Sequence, residues 1–311
     1  MENQAGKTQK ASSSAPPPSP PWVELPLEIT AEILRRLGAV EILLNVQRVC
    51  TTWRKACYDP TMWRVIDMRN GEDMYMFDVF DKLCRVAVDR SQGQLFKINI
   101  QYFGNKSLLE YIAQRSSQLK HLRLVYCDNI SNGGLAAVAK NFPLLEELHI
   151  YLSAISIVDI ESVGRSCSQL KSFTLNNGAF GGWTGFRNLQ IDVNDQAMAI
   201  AVNMPELRRL ALFGNTMTNE GLCAILNGCP LLESLDLRHC YSIDLEGDLG
   251  TRCRQQIADL NGQICDYMTS DDEPDLDLRN YFYDYDYGDF EYDDITNPFS
   301  GEYLDEGGFF W

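Results

Sequence analysis

The sequence predicts an α/β chain in three parts: a small all-helical head, a right-handed solenoid of parallel strands with outer helices, and a disordered acidic tail. Three observations predict it. Apolar residues step by three and four along positions 25–57. A leucine-spaced template then recurs about every 25 residues from Leu95 to Cys240. Past residue 262 the composition turns acidic and aromatic, with few aliphatic residues, which favours disorder over a packed core.

At 311 residues, 45% of them hydrophobic, the chain has room for one large or two modest domains. No stretch approaches the run of about 18 apolar residues that a membrane span needs. The first residues lack the apolar core of a secretory signal. Ten cysteines in such a chain point to reduced thiols, hence the nucleus or cytoplasm. The net charge of −16 argues against general nucleic-acid binding, but it is unevenly placed. Residues 266–311 hold fifteen acidic residues against Arg279, a net of −14, which leaves −2 for the other 265.

Residues 1–21 are polar and then proline-rich, a linker or a proline-motif ligand. The head spans 22–63. Pro26 sits where a first-turn proline is tolerated, because its missing N–H would be unpaired there. Ile29, Ile33 and Leu37 follow on one stripe, and Gly38 closes the pattern. A second run holds Ile42, Val46, Val49, Cys50, Trp53 and Cys57 before Asp59-Pro60 ends it. Forty residues in short helices cannot bury this much apolar surface alone, so a partner is expected.

Leu25-Pro26-x-x-Ile29, Ile33-Leu34, Leu37, Val49-Cys50, Trp53-Arg54, Asp59-Pro60 and Trp63 together resemble an F-box, with Glu41-Ile42 a conservative departure. The resemblance implies docking onto the Skp-type adaptor of a Skp–cullin–F-box ubiquitin ligase. It implies an adaptor-binding surface drawn from Leu25, Pro26, Ile29, Ile33, Leu37, Val49, Cys50 and Trp53. Some of these must instead hold the small helices together, and the sequence does not sort them. The competing reading is a helical hairpin that caps some other core.

After the head, Trp63-Ile66-Met68 opens the solenoid region, 64–262, followed by a helix near 76–90 that buries Phe77, Phe80, Cys84, Ala87 and Val88. The template apolar-x-x-apolar-x-apolar-x-x-(Asn/Cys) then fits Leu95-Ile98-Ile100-Phe103, Leu119-Leu122-Leu124-Cys127 and Leu145-Leu148-Ile150-Ser153. It continues at Leu170-Phe173-Leu175-Gly178, Leu207-Leu210-Leu212-Asn215 and Leu232-Leu235-Leu237-Cys240. The starts lie 24, 26, 25, 37 and 25 residues apart, the period of leucine-rich repeats. Each unit supplies a strand and a returning helix, and only stacked units bury a continuous core. Cys127, Cys167, Cys229 and Cys240 recur at equivalent places, so each is expected in its own turn, and no metal site is expected. The long interval holds extra residues from Gly178 to Asn194. Phe180, Trp183 and Phe186 there either anchor a ligand or cover the rim. A helix with Leu249, Cys253, Ile257 and Leu260 on one stripe is expected to cap the stack. The tail, 263–311, is either a solvated segment or one that docks on a basic partner or folds back.

No phosphate-binding glycine loop, nucleophile elbow or zincin motif is present. Neither a catalytic residue nor a cofactor site is expected, although an enzyme with an unrecognised site is the reading from another class. Strand alternation turns the residues between the leucines toward the concave face, where Arg123, Tyr151, Arg209, Phe213 and Arg238, with Trp183 from the long loop, are the candidate substrate contacts. Their mixed charge and aromaticity suit a protein ligand, not nucleic acid or membrane. Trp63-x-x-Ile66-Asp67-Met68-Arg69-Asn70, Ala87-Val88-Asp89-Arg90-Ser91-x-Gly93 and Leu237-Arg238-x-Cys240 make the whole layout similar to plant F-box/leucine-rich-repeat proteins. That resemblance implies a non-catalytic substrate receptor that reaches a cullin through the adaptor and a protein substrate through the repeats, in nucleus or cytoplasm. The runner-up is a scaffold that never engages a cullin.

Overall fold

Among the described residues, eight parallel strands in sequential order form one sheet, each hydrogen-bonded to the next. The computed structural model describes residues 22, 25–69, 77–127, 129–130, 133–153, 155–176 and 193–261. The chain divides into two compact units, Met1–Cys265 and Asp266–Trp311, and every described residue belongs to the first. The leader, the long loop with Trp183, and the acidic tail lie outside the described residues.

Among the described residues three short helices come first: α1 Leu27–Leu34, α2 Ala39–Leu44 and α3 Thr51–Cys57. The run from Ile42 to Cys57, read in sequence as continuous, is broken by a 3-10 turn at Val46–Arg48. Cys50 then caps α3, its Sγ accepting from the Trp53 N–H at 3.5 Å. After a 3-10 turn at Pro60–Trp63, capped by Asp59, come β1 Val65–Met68, α4 Phe77–Arg90, β2 Lys97–Gln101, α5 Lys106–Arg115, β3 His121–Val125 and α6 Gly134–Val138. The stack continues with β4 Glu147–Tyr151, α7 Ile157–Ser166, β5 Ser172–Asn176, α8 Asp195–Asn203, β6 Arg209–Ala211, α9 Asn219–Gly228, β7 Ser234–Asp236, α10 Gly247–Gln256 and β8 Asp259–Asn261.

The register explains the leucine template. Ile66, Ile98, Leu122, Leu148, Phe173, Leu210, Leu235 and Leu260 lie in one row across the sheet. Met68, Ile100, Leu124, Ile150 and Leu175 form a second row two residues on. Because side chains alternate along a strand, both rows face the helices, and nearly all of these residues are buried. Each cysteine turn fastens one repeat to the one before. Cys127 Sγ lies 3.7 Å from Ile100 O, Cys167 Sγ 3.6 Å from Ala139 O, Cys229 Sγ 3.5 Å from Met204 O and Cys240 Sγ 2.9 Å from Leu212 O. Burial pushes the thiols of Cys167, Cys229 and Cys240 up to about 11, so they remain protonated donors at neutral pH.

Two readings need correction. Phe77 is exposed at the start of α4, while Phe80, Cys84, Ala87 and Val88 are buried as expected. Ile257 and Leu260 do not share a helical stripe with Cys253: α10 ends at Gln256, and Leu260 lies in β8 opposite Leu235. Among the described residues, a strand follows α10.

Close helix contact rests on glycine at α9. A Cβ at Gly228 would sit 2.2 Å from Ala201 O and 2.7 Å from Ala201 C. Backbone cannot yield as a side-chain tip does, so Gly228→Ala is expected to destabilise by about 2–3 kcal/mol. Urea unfolding should show a lower midpoint with unchanged slope.

Candidate protein-docking surfaces

Helix α1 is apolar on two sides. Ala31 and Leu34 are buried, and α1 packs against α3, where Ala56 and Cys57 are fully buried. On the other side Ile29, Ile33 and Leu37 are 50%, 48% and 46% exposed, and Val49, just before α3, is 55% exposed. Pro26 is also exposed, whereas Leu25, Cys50 and Trp53 are half-buried. Trp53 packs against the core, and the Cys50 sulfur serves as a cap. The structure thus sorts what the sequence left mixed: Pro26, Ile29, Ile33, Leu37 and Val49 are open, while Leu34, Ile42, Leu43, Val46 and Trp63 fill the inside. Leu27 and Tyr58, which the stripe did not include, are also exposed.

The concave face carries a linked polar network. Arg209 Nη2 donates to Glu147 Oε1 at 2.7 Å. Glu147 Oε2 lies 2.8 Å from His121 Nδ1, in ion-pair range though without hydrogen-bond alignment, and 3.6 Å from His149 Nε2. His149 Nδ1 in turn lies 2.8 Å from Thr174 Oγ1. Toward the head, Arg123 stacks over the Tyr151 ring at 4.8 Å and donates to Asn99 Oδ1 at 3.2 Å. Arg238 is held by Asp236 at 2.8 Å.

Strand alternation would also turn Val125, Ser172, Thr174 and Asn176 toward this face, yet not every such residue is open. Val125 is fully buried, and Phe213 is only 9% exposed. Phe213 lies past the end of β6, with the His239 ring 4.6 Å away and the Arg238 guanidinium 5.5 Å from its centroid. It offers a ligand little surface. Ser172, Thr174 and Asn176 of β5 are buried as well. Arg123, Tyr151 and Arg238 are half-buried and Arg209 is exposed.

Burial opposes ionisation of Glu147, but the His121 contact with the charges of His149 and Arg209 outweighs it and holds the carboxyl below its usual value. Burial also pushes His149 below its ordinary value, against the pull of Glu147. At neutral pH His149 is therefore uncharged, and Arg209 is the lasting positive partner. A histidine depressed in the fold contributes stability above its unfolded value of about 6.5, which is lost as pH falls through its folded value. The Glu147 contribution is lost only at lower pH, below the ordinary carboxylate value of 4.5. Stability should therefore fall as pH drops below about 6.5, and His149→Asn should flatten that slope in chemical denaturation.

Residues 22–69 match the F-box-like family model, and residues 115–139 and 204–226 match the Leucine Rich repeat model. F-box protein SKIP19 of Arabidopsis thaliana is 43% identical over 282 residues, 87% of this chain and 90% of that one. The chain belongs to the F-box/leucine-rich-repeat family. F-box/LRR-repeat protein 23 of the same plant is 49% identical over 240 residues, 77% of this chain; the match spans 52% of that relative's length. F-box protein FBW2, also of that plant, is 31% identical over 72% of this chain and 70% of its own.

In this F-box/leucine-rich-repeat protein the open residues Ile29, Ile33, Leu37 and Val49 lie on the F-box segment and the polar network on the repeats. Among the described residues, no three His, Cys, Asp or Glu side chains are grouped to hold a metal ion. None of the described helices is long and apolar enough to cross a membrane.

Proposed function

We propose that this chain is the substrate-recognition subunit of an SCF-type E3 ubiquitin ligase. The F-box would dock on a Skp-type adaptor, and through it a cullin, while the repeats hold the protein to be ubiquitinated. One observation carries the reading: α1 has a filled apolar face and a second one left open at Ile29 and Ile33, continued by Leu37 in the 3-10 turn Arg35–Leu37 that follows. An open apolar surface on so small a helical segment calls for a partner. The chain's contribution is proximity, raising the effective concentration of a substrate lysine at the ubiquitin-loaded enzyme, and the bond-making belongs to other subunits. The nucleus or cytoplasm is the proposed location, where thiols such as those of Cys127 and Cys240 stay reduced.

The test is reconstitution with a purified Skp-type adaptor and cullin. A ternary complex is expected. Adaptor binding without cullin would favour a scaffold instead, and no adaptor binding would sink the proposal.

A further inference from the structure

We infer that the leading rim of the repeat sheet, where the strands begin, receives an acidic segment of a partner protein. The inference rests on the reading of this chain as a substrate receptor and specifies the chemistry of what the repeats hold.

Two rows of residues line that rim. In the first, Phe96 N–H donates to Arg64 O at 2.8 Å, Lys120 to Phe96 O at 2.9 Å, Glu146 to Lys120 O at 2.9 Å, Lys171 to Glu146 O at 2.8 Å, and Arg208 to Lys171 O at 2.9 Å. These bonds stack one residue per repeat. The second row, one residue on, places Lys97 beside His121, then Glu147, Ser172 and Arg209. Among the described residues from β1 to β6, the first row thus carries Arg64, Lys120, Lys171 and Arg208 with Glu146, and the second Lys97 and Arg209 with Glu147. Against the net charge of −2 carried by residues 1–265 this is a local positive surplus.

The two carboxylates are already engaged. Glu146 lies 2.7 Å from Lys120 Nζ and 3.7 Å from Lys171 Nζ, and Glu147 is held by Arg209. Arg208 leans on Glu233 of the next repeat. Arg64 and Lys97 are exposed and form no ion pair among the described residues. The Lys171, Arg208 and Arg209 side chains are about half exposed, at 48%, 49% and 58%. Arranged cations, some already oriented by carboxylates, suit further carboxylates arriving from outside.

Strands stand about 4.8 Å apart, so six strands span roughly 24 Å, the reach of an extended segment of about seven residues. Phe96 interrupts the cations in the first row, its ring 4.7 Å from that of His121, and offers an apolar contact beside them. The surplus stops at β7 and β8, which bring Glu233 and Asp259 to the same rim. A nucleic-acid strand would run its unbroken phosphates past Glu146 and Glu147, whereas a peptide can place a neutral residue there.

The experiment is fluorescence anisotropy on the full chain with three probes: an eight-residue peptide alternating glutamate and serine, its glutamine counterpart, and a single-stranded oligonucleotide of equal charge. The glutamate peptide is expected to bind at least about tenfold tighter than the glutamine peptide, and to weaken as salt rises. Lys97→Glu with Lys171→Glu should weaken it about tenfold again. The milder pair Arg64→Gln with Lys97→Gln should weaken it less, with the melting curve unchanged. Equal binding of the two peptides, indifference to both variants, or tighter binding of the oligonucleotide would each overturn the inference. Adaptor capture is measured in parallel: adaptor bound without peptide preference sinks this inference alone, and peptide preference without adaptor sinks the ligase reading alone.

Discussion

Pro26→Asp with Ile29→Asp is expected to abolish adaptor capture while leaving the fold intact. Both side chains are exposed in the free chain, so the new carboxylates stay hydrated until docking. Pro26 is the residue before α1, and its carbonyl accepts the Thr30 N–H at 3.0 Å. Aspartate at that position is a better helix cap than proline and favours the positive end of the helix dipole. Stability should therefore change by no more than about 0.5 kcal/mol. Docking is another matter. A partner that covers Ile29 and Ile33 would have to strip water from two unpaired carboxylates, at several kcal/mol. Every 1.4 kcal/mol is about tenfold in affinity, so a loss of more than about a hundredfold is expected by calorimetry. Retained capture by a variant with an unchanged circular dichroism melt would remove the F-box surface from the mechanism.

Leu34→Asp should behave differently, because Leu34 is fully buried. The sequence showed an apolar run at Ile29, Ile33, Leu34 and Leu37, but not which of these point inward. Periodicity reports a face, and a helix apolar on two faces has no single face to report. The repeats were more legible. Their two inward positions recur in every strand, and each strand of the template formed in the register that the leucines require.

What the template missed lay at strand ends. Lys120, Lys171 and Arg208 precede their strands by one residue, so alternation within strands passed over them. The turns after the strands were invisible for another reason. Tyr102, Tyr126, Leu152 and His239 adopt positive φ at 73°, 51°, 50° and 61°, the region that normally selects glycine; among these equivalent turns only Gly214 has it. The first three keep the backbone ladder going for one more bond, Tyr102 to Val125 O, Tyr126 to Tyr151 O and Leu152 to Asn176 O, at 2.9, 3.0 and 2.9 Å. A tertiary hydrogen bond has overridden local preference there, and one chain read alone carries no sign of it.

The second large effect is expected at the joint between F-box and repeats. Trp63 is 1% exposed, and its Nε1–H donates to Cys57 O at 2.8 Å. The Arg90 guanidinium, at the end of α4, lies 5.4 Å from the Trp63 ring centroid and 4.3 Å from that of Tyr58, while its Nη2 donates to Gln47 Oε1 at 2.8 Å. Burial pushes Arg90 below its ordinary value, so this cation depends on the aromatic faces around it. Trp63→Ala would open a cavity, leave the Cys57 carbonyl unpaired and strip one of those faces away. A loss of about 3–5 kcal/mol is expected, a fall in melting temperature of roughly 10 °C at this chain length. Trp63→Phe keeps a ring and removes the donor, and should cost nearer 1 kcal/mol. If the joint fixes how the F-box is held against the repeats, Trp63→Ala protein kept folded at low temperature should still capture adaptor yet transfer ubiquitin more slowly, because proximity without orientation forfeits much of the gain. An alanine variant that melts with the wild type would show that the indole carries no such load.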